Sequence, residues 1–179
     1  MLALAASCEA PGFPAEAAVV VSPKEDTPAV DGAKDRGLNV AVIDPISTAD
    51  YGKNLIGVLQ ENGVEWICLA GYLRLLPPEV LSNYENRILN IHPALLPKFG
   101  GKGMYGMRVH EAVLASGEME SGCTVHFVTE NYDEGPIILQ RKCPVENDDT
   151  PETLALRVLK LEHQAYSEAL RKVIHEAAK

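Results

Sequence analysis

Short apolar runs alternate with helix-like segments through the first half of this chain of 179 residues, and no other feature constrains the fold as strongly. Four runs read as buried strands bounded by proline, glycine or charged residues: Glu16–Ser22, Leu38–Ile43, Glu65–Gly71 and Arg87–His92. Between them, Ser47–Asn62 carries apolar residues at helical spacing. Nearly continuous apolar strands that alternate with helices are typical of a parallel sheet covered on both faces. The first half therefore predicts a doubly wound α/β fold with a mostly parallel sheet.

The second half of the chain follows a different pattern. Two apolar segments, Cys123–Glu130 and Pro136–Val145, flank the short connection NYDEG, so we expect them to pair as antiparallel strands. Thr150 can cap a following helix, and Pro151 can occupy its first turn. Apolar residues then recur on one helical face: Leu154, Val158, Leu161, Ala165 and Ala169. The sequence predicts a long C-terminal helix and one domain over residues 1–179.

Charge and cysteine content limit the possible partners. Lys and Arg total 16 against 25 Asp and Glu, which gives a net charge of -9. Because binding to phosphate backbones and anionic lipids needs clustered cations, we expect neither a nucleic-acid partner nor a membrane partner. The four cysteines are scattered without metal-like spacing: Cys8, Cys68, Cys123 and Cys143. We interpret them as free thiols in a reducing cytoplasm, and we expect no metal site.

Two polar side chains end the fourth apolar run, where Asn90 and His92 precede Pro93 and a loop rich in glycine. Side chains two residues apart on a strand point to the same face, and ligands of open α/β sheets bind at the carboxyl edge of the strands. An amide N–H can stabilise a developing oxyanion, and an imidazole can move a proton near neutral pH. A lone histidine is more often structural, so the pattern alone leaves both interpretations open.

Asp133 offers a carboxylate in the connection between the two expected antiparallel strands, close to Gly135. By itself it reads as a turn-forming aspartate. Beside an imidazole, however, a carboxylate favours the charged ring and fixes its orientation. A histidine and an aspartate that met in this way would form the acid–base pair that a group transfer requires.

Two segments of the chain resemble the formyltransferase family that uses 10-formyltetrahydrofolate: RILNIHPALLPKF and GCTVHFVTENYDEGPIILQ. They contain the motifs Asn-x-His-Pro-x-Leu-Leu-Pro and Asp-x-Gly-x-Ile-Ile, and the resemblance extends from about Pro11 to Ala169. It implies a Rossmann-like fold and 10-formyltetrahydrofolate as cosubstrate. It also implies transfer of the formyl group to the amine of glycinamide ribonucleotide in de novo purine biosynthesis, by a monomer or homodimer.

The resemblance assigns roles to individual residues as well. It implies that Asn90 and a protonated His92 stabilise the oxyanion, while Asp133 keeps His92 charged and relays a proton through water. It implies that Glu162 binds ribose hydroxyls. The residues that it implies for folate binding are Leu73, Arg74, Leu75, Leu76, Asn90, Thr129, Glu130, Asn131 and Tyr132.

Other polar residues near the two motifs receive smaller roles. We expect His110 and His126, which also match family positions, to act as supporting hydrogen-bonding residues rather than as catalytic ones. The glycine-rich segment Lys98–Gly106 lacks the spacing of a phosphate-binding loop. We interpret it as a flexible flap over the site.

The N-terminal segment departs from the family pattern. MLALAASCEA reads as a helix, whereas a doubly wound domain begins with a strand and a glycine-rich phosphate loop. We therefore expect an N-terminally truncated domain that lacks the first strand and the phosphate loop. Two alternatives to the transfer remain: hydrolysis of 10-formyltetrahydrofolate by water, or a non-catalytic folate-binding remnant if Met1 is the true start. The acidic chain disfavours transfer to methionyl-tRNA.

Overall fold

Six helices and six strands form in the computed structural model, which describes all residues 1–179. The helices are α1 (Leu2–Cys8), α2 (Pro28–Lys34), α3 (Tyr51–Glu61), α4 (Pro78–Asn83), α5 (Met107–Ser116) and α6 (Pro151–Ala177). The strands are β1 (Val20–Ser22), β2 (Val40–Val42), β3 (Ile67–Leu69), β4 (Ile88–His92), β5 (Glu120–Phe127) and β6 (Ile137–Pro144). The first of two units contains Met1–Ile67 and Leu76–Arg87, and the second contains Cys68–Leu75 and Ile88–Lys179. The single domain expected over the whole chain stays a prediction.

Two parallel strands, β1 and β2, form the sheet of the first unit. The helix between them, α2, begins at Thr27, whose hydroxyl accepts a hydrogen bond from the Val30 N–H at 3.2 Å. This bond satisfies one of the backbone donors that lack a partner within the helix. α1 packs on α2 where Gly32 leaves room for the Leu2 side chain. The first unit thus has the parallel pairing that the apolar runs predicted.

Four strands form the other sheet in the order β3-β4-β5-β6. β4 pairs antiparallel with β5, which places Asn90 opposite His126 and His92 opposite Thr124. β5 then pairs antiparallel with β6, with an irregularity of register between Val125 and His126. α6 packs against β4, β5 and β6. This arrangement positions the polar residues of β4 beside those of β5.

The α/β class is confirmed, with parallel strands first, antiparallel strands later and a long C-terminal helix. Two features differ from the prediction. The strands lie in two sheets, and antiparallel pairing begins at β4, one strand earlier than expected. The first three strands contain only three residues each. They are shorter than the apolar runs because such runs report burial, whereas strand length depends on a pairing partner.

The start of α6 matches the prediction. The Thr150 hydroxyl accepts a hydrogen bond from the Thr153 N–H at 3.3 Å, and the Thr153 hydroxyl accepts one from the Thr150 N–H at 2.9 Å. Pro151 follows this reciprocal cap. The expected apolar face of the helix is buried except at Leu161, which is partly exposed.

The structure shows the state of the four cysteines and whether any helix could cross a membrane. All four cysteines are free thiols, as their scattered spacing predicted. Burial raises the pKa of the Cys123 thiol to about 12, which disfavours the reactive thiolate. None of the helices combines the length and the apolar character that crossing a membrane requires.

Tyr166 joins α6 to two strands of the second sheet. Its hydroxyl lies 2.7 Å from the Leu69 carbonyl oxygen and 3.0 Å from the Leu89 carbonyl oxygen. The residue is buried, and burial raises its pKa well above its ordinary value. Since a phenol has one proton, the hydroxyl donates to these two carbonyls in turn and holds β3, β4 and α6 together.

Replacing Tyr166 with Phe should lower the free energy of unfolding by about 1–3 kcal/mol, because the buried carbonyls would lose their donor. Urea unfolding followed by circular dichroism measures this change. Tyr51→Phe is a matched control at a partly exposed tyrosine, and it should alter the free energy of unfolding by less than about 0.5 kcal/mol. Equal effects of the two substitutions would contradict the role given to the Tyr166 hydroxyl.

Candidate active site

β4 ends at His92 and carries the two polar side chains that the sequence singles out. His92 is 4% exposed, and Asn90 is half-buried. Thr124 on β5 fixes the chain beyond the strand, because its hydroxyl donates to the Ala94 carbonyl at 2.6 Å and accepts from the Leu96 N–H at 3.0 Å. The turn after His92 is thus held by the neighbouring strand as well as by its prolines.

Asp133 reaches His92 from the connection between β5 and β6, with a left-handed backbone φ of 58°. A Cβ atom at Gly135 would lie 1.8 Å from the Phe127 carbonyl oxygen, so only glycine lets the connection fold back this closely on β5. Oδ2 of Asp133 lies 3.5 Å from Nδ1 of His92 and accepts a hydrogen bond from the Gly101 N–H at 2.9 Å. The structure therefore brings His92 and Asp133 into contact, while their catalytic roles stay predictions.

His126 connects Asn90 to the same carboxylate. Its Nδ1 atom lies 2.8 Å from the Phe127 carbonyl oxygen, and its Nε2 atom lies 3.2 Å from Nδ2 of Asn90. Nε2 is also 3.6 Å from Oδ1 of Asp133, which is too far for a hydrogen bond. The sequence analysis expected His126 to be a supporting hydrogen-bonding residue, and it did not foresee the strand register, which sets His126 directly opposite Asn90.

The loop after β4 completes the cluster through its backbone. Nε2 of His92 donates a hydrogen bond to the Phe99 carbonyl oxygen at 2.7 Å, and Phe99 has a left-handed φ of 57°. Gly101 supplies the N–H that binds Asp133. The segment interpreted as a flap thus provides two backbone contacts that the sequence analysis missed, since backbone contacts have no signature in residue type.

Burial and charge act in opposite directions on the His92–Asp133 pair. Burial alone would raise the pKa of Asp133, but its contacts with His126, His92 and the Gly101 N–H hold that pKa below its ordinary value. Burial lowers the pKa of His92, and the Asp133 carboxylate, which raises it, only partly offsets burial. Burial thus opposes the charged form of His92 and the Asp133 carboxylate supports it, and the protonated His92 that the resemblance implies stays a prediction.

A third buried imidazole, His110 on α5, lies near this pair. It is 5% exposed, and burial together with the nearby His92 lowers its pKa. Its Nδ1 atom is buried without a hydrogen-bond partner. The supporting hydrogen bond expected of His110 is therefore not made through Nδ1, and its role stays a prediction.

Most residues expected to contact the folate have exposed side chains: Leu73, Arg74, Leu75, Glu130 and Asn131. Thr129 and Tyr132 are partly exposed, and the Thr129 hydroxyl hydrogen bonds to the backbone of the following turn. Leu76 differs from the others because it is buried and belongs to the first unit. The folate contacts of this group stay predictions.

Glu162 lies on α6. No hydrogen bond or ion pair joins it to His92 or Asp133. Burial raises the pKa of Glu162 to about 7, and its charge in turn raises the pKa of Cys123 on β5. The structure thus places Glu162 close to β5 with a carboxyl group that titrates near neutral pH.

Comparison with known proteins identifies the family. Residues 1–170 match the formyl transferase family. The chain is 44% identical over 169 residues to the chloroplastic phosphoribosylglycinamide formyltransferase of Arabidopsis thaliana, covering 90% of this chain and 56% of that protein. It is 41% identical over 174 residues to the trifunctional purine biosynthetic protein adenosine-3 of Gallus gallus, covering 96% of this chain and 17% of that protein. The chain thus spans little more than half the length of the plant relative.

Solved structures agree with these relatives. The phosphoribosylglycinamide formyltransferase of Brucella melitensis superposes with a TM-score of 0.88 at 43% identity, covering 97% of this chain and 88% of that chain. The enzyme of the same name from Bacillus halodurans gives a TM-score of 0.88 at 34% identity, covering 98% of this chain and 89% of that chain. These likenesses confirm the Rossmann-like fold. The chain belongs to the formyl transferase family.

Proposed function

We propose that this chain transfers the formyl group of 10-formyltetrahydrofolate to the amino group of glycinamide ribonucleotide, a step of de novo purine biosynthesis. The observation that carries the proposal is the buried contact between His92 and Asp133, with the half-buried amide of Asn90 linked to the same cluster. The relatives named as phosphoribosylglycinamide formyltransferases supply the identity of the two substrates.

The residues present fit a formyl donor. Formyl transfer needs hydrogen-bond donors for the formyl oxygen and a group that can take a proton from the attacking amine. Asn90 uses one amide hydrogen toward His126, which leaves its second N–H and its carbonyl oxygen unengaged. His92 offers a ring N–H, and Asp133 offers an ionised carboxylate. The expected folate-binding segments, Leu73–Leu76 and Thr129–Tyr132, would hold the rest of the cosubstrate.

The geometry suggests how each residue acts. 10-formyltetrahydrofolate supplies a formyl carbon that an amine can attack. The N–H groups of Asn90 and His92 stabilise the negative charge that develops on the formyl oxygen, and burial strengthens these hydrogen bonds. The His92 N–H is engaged with the Phe99 carbonyl in this structure, so it must leave that carbonyl to donate to the formyl oxygen. This role needs only the ring N–H, which His92 carries at Nε2 whether the ring is neutral or protonated.

Asp133 accepts the proton that the attacking amine loses and passes it to the leaving nitrogen of the folate. Its lowered pKa keeps the carboxylate ionised, so it can accept the proton that the amine loses as the new N–C bond forms. The same proton, passed directly or through water, neutralises the folate nitrogen N10 as its bond to the formyl carbon breaks. The atoms balance without a metal or a redox partner.

The compartment and assembly also stay predictions. We infer a cytoplasmic location from the free thiols, although the Arabidopsis relative is named as chloroplastic. A monomer or a homodimer is expected, with small molecules as the partners.

His92→Ala and Asp133→Asn should each lower the turnover number by about 100-fold or more, because each removes a group that acts on the reacting atoms. Affinity for the folate should stay within about tenfold. Mass spectrometry of formylated glycinamide ribonucleotide measures turnover, and His163→Ala is a matched control at an exposed histidine of α6.

Running the same assay with and without glycinamide ribonucleotide separates the possible functions. Loss of the formyl donor only when the ribonucleotide is present supports the transfer. Loss at the same rate without it indicates hydrolysis by water. Folate binding without turnover indicates a non-catalytic protein, and near-normal turnover in His92→Ala or Asp133→Asn would refute the roles assigned to them.

Glu162 should make ribonucleotide binding depend on pH. Since its pKa is raised to about 7, the carboxylate that accepts hydrogen bonds from ribose hydroxyls forms only as pH rises past neutral. The KM for glycinamide ribonucleotide should therefore fall between about pH 6 and pH 8 in the parent protein relative to Glu162→Gln. A KM ratio that does not change with pH would contradict the assigned role.

The effect of Glu162→Gln on stability can be measured without any substrate. A carboxyl whose pKa is higher in the folded state than its ordinary 4.5 destabilises the fold as pH rises from about 4.5 through about 7. Glu162→Gln should therefore gain stability relative to the parent protein at pH 8, by on the order of 1–3 kcal/mol in urea unfolding. The gain should be smaller at pH 6.

A further inference from the structure

His126 occupies a position between two of the residues placed in the proposed mechanism. It lies on β5 directly opposite Asn90 of β4, and it is 2% exposed. The register irregularity between Val125 and His126 occurs at this residue. Such irregularities re-aim side chains near active sites. Both ring nitrogens of His126 have identifiable neighbours, so the protonation pattern of the ring can be derived.

The Phe127 carbonyl fixes the tautomer of His126. A carbonyl oxygen can only accept a hydrogen bond, so Nδ1, 2.8 Å away, must carry the hydrogen. In the neutral ring Nε2 then has a lone pair, and it can only accept. The atom at 3.2 Å from Nε2 is Nδ2 of Asn90, which has hydrogens to donate. The donor and acceptor roles on the two sides of this contact therefore match.

The Asn90 amide would be poorly oriented without this acceptor. Rotation about the terminal bond of an asparagine is broad and roughly two-fold, so two opposite orientations compete. The flipped orientation would place Oδ1 of Asn90 against the lone pair of Nε2, where two acceptors repel each other. Asp133 does not take the place of Asn90 as a hydrogen-bond partner, because its oxygen lies 3.6 Å from Nε2. The His126 ring thus selects one orientation of the amide.

The geometry points to His126 as a positioning residue that, through the lone pair on Nε2, keeps an N–H of Asn90 directed at the formyl oxygen. This inference rests on the proposed function, since Asn90 must act as a donor to that oxygen. In this role His126 acts through Asn90 and not directly on the substrate. Its contribution consists in preventing the Asn90 carbonyl from turning toward an oxygen that becomes negative.

Two substitutions of His126 distinguish the contribution of Nε2, which faces Asn90, from that of Nδ1, which faces the Phe127 carbonyl. In His126→Gln, the longer amide can place an oxygen where Nε2 stood and accept from Asn90. In His126→Asn, the shorter amide can donate to the Phe127 carbonyl but cannot reach Asn90. We expect His126→Asn to lower kcat by about 10-fold to 100-fold, with KM for the formyl donor within about threefold. His126→Gln should keep kcat within about fivefold of the parent protein.

A double-mutant cycle with Asn90→Ala tests whether His126 acts through Asn90. If it does, adding His126→Asn to Asn90→Ala should change kcat by less than about twofold. Equal losses in the parent and Asn90→Ala backgrounds would overturn the inference. So would equal kcat values for His126→Asn and His126→Gln. Thermal unfolding of each variant identifies losses that come from impaired folding.

Nuclear magnetic resonance of the parent protein tests the inference without substrate or substitution. Long-range proton–nitrogen spectra should identify Nδ1 of His126 as the protonated nitrogen and Nε2 as the unprotonated one. A proton on Nε2 would overturn the inference. If the parent protein shows this tautomer but no formyl transfer to glycinamide ribonucleotide, the proposed function fails and the geometric part of the inference stands.

Discussion

A partly buried, ionised carboxylate, that of Asp133, organises this site. Desolvation makes a charged Asp133 costly, and the structure offsets that cost with the Gly101 N–H and with two imidazoles. Each stabilising group comes from a different part of the chain: His92 from β4, His126 from β5, and Gly101 from the loop between them. Because one charge holds three segments, the position of Asp133 governs the geometry around it. The left-handed backbone of Asp133 and the absence of a side chain at Gly135 put it there.

Burial is the main cause that disfavours the positive forms of His92 and His110, and neighbouring imidazoles add to it. The positive form of His92 is disfavoured by His126, and the positive form of His110 is disfavoured by His92. Burial acts in the same direction on both His92 and His110, and one carboxylate cannot compensate for all of it. The cluster therefore presents N–H groups more readily than full positive charges. A buried site of this kind relies on the fixed direction of its hydrogen bonds, which is also what stabilising a developing oxyanion requires.

The side chains of this site could be predicted from the sequence, whereas its backbone contacts could not. Asn90 and His92 could be paired from the two-residue period of a strand, and the family motif added Asp133, whose residue type alone indicates only a turn. The contacts of Phe99 and Gly101 could not be predicted, since any residue supplies a carbonyl and almost any supplies an N–H. The lowered pKa of His92 depends on burial, which a motif does not report. Strand lengths were overestimated because an apolar run does not show where its pairing partner ends.

Backbone carbonyls determine which nitrogen of each ring carries the proton. The Phe99 carbonyl accepts from Nε2 of His92, and the Phe127 carbonyl accepts from Nδ1 of His126. Because a carbonyl cannot donate, each of these two nitrogens carries a hydrogen, and the remaining nitrogens face the carboxylate and the amide. The backbone at Phe99 and at Phe127 thus determines which ring nitrogens of the site donate hydrogen bonds. A substitution that displaced either segment would change the chemistry without altering any residue that contacts the substrates.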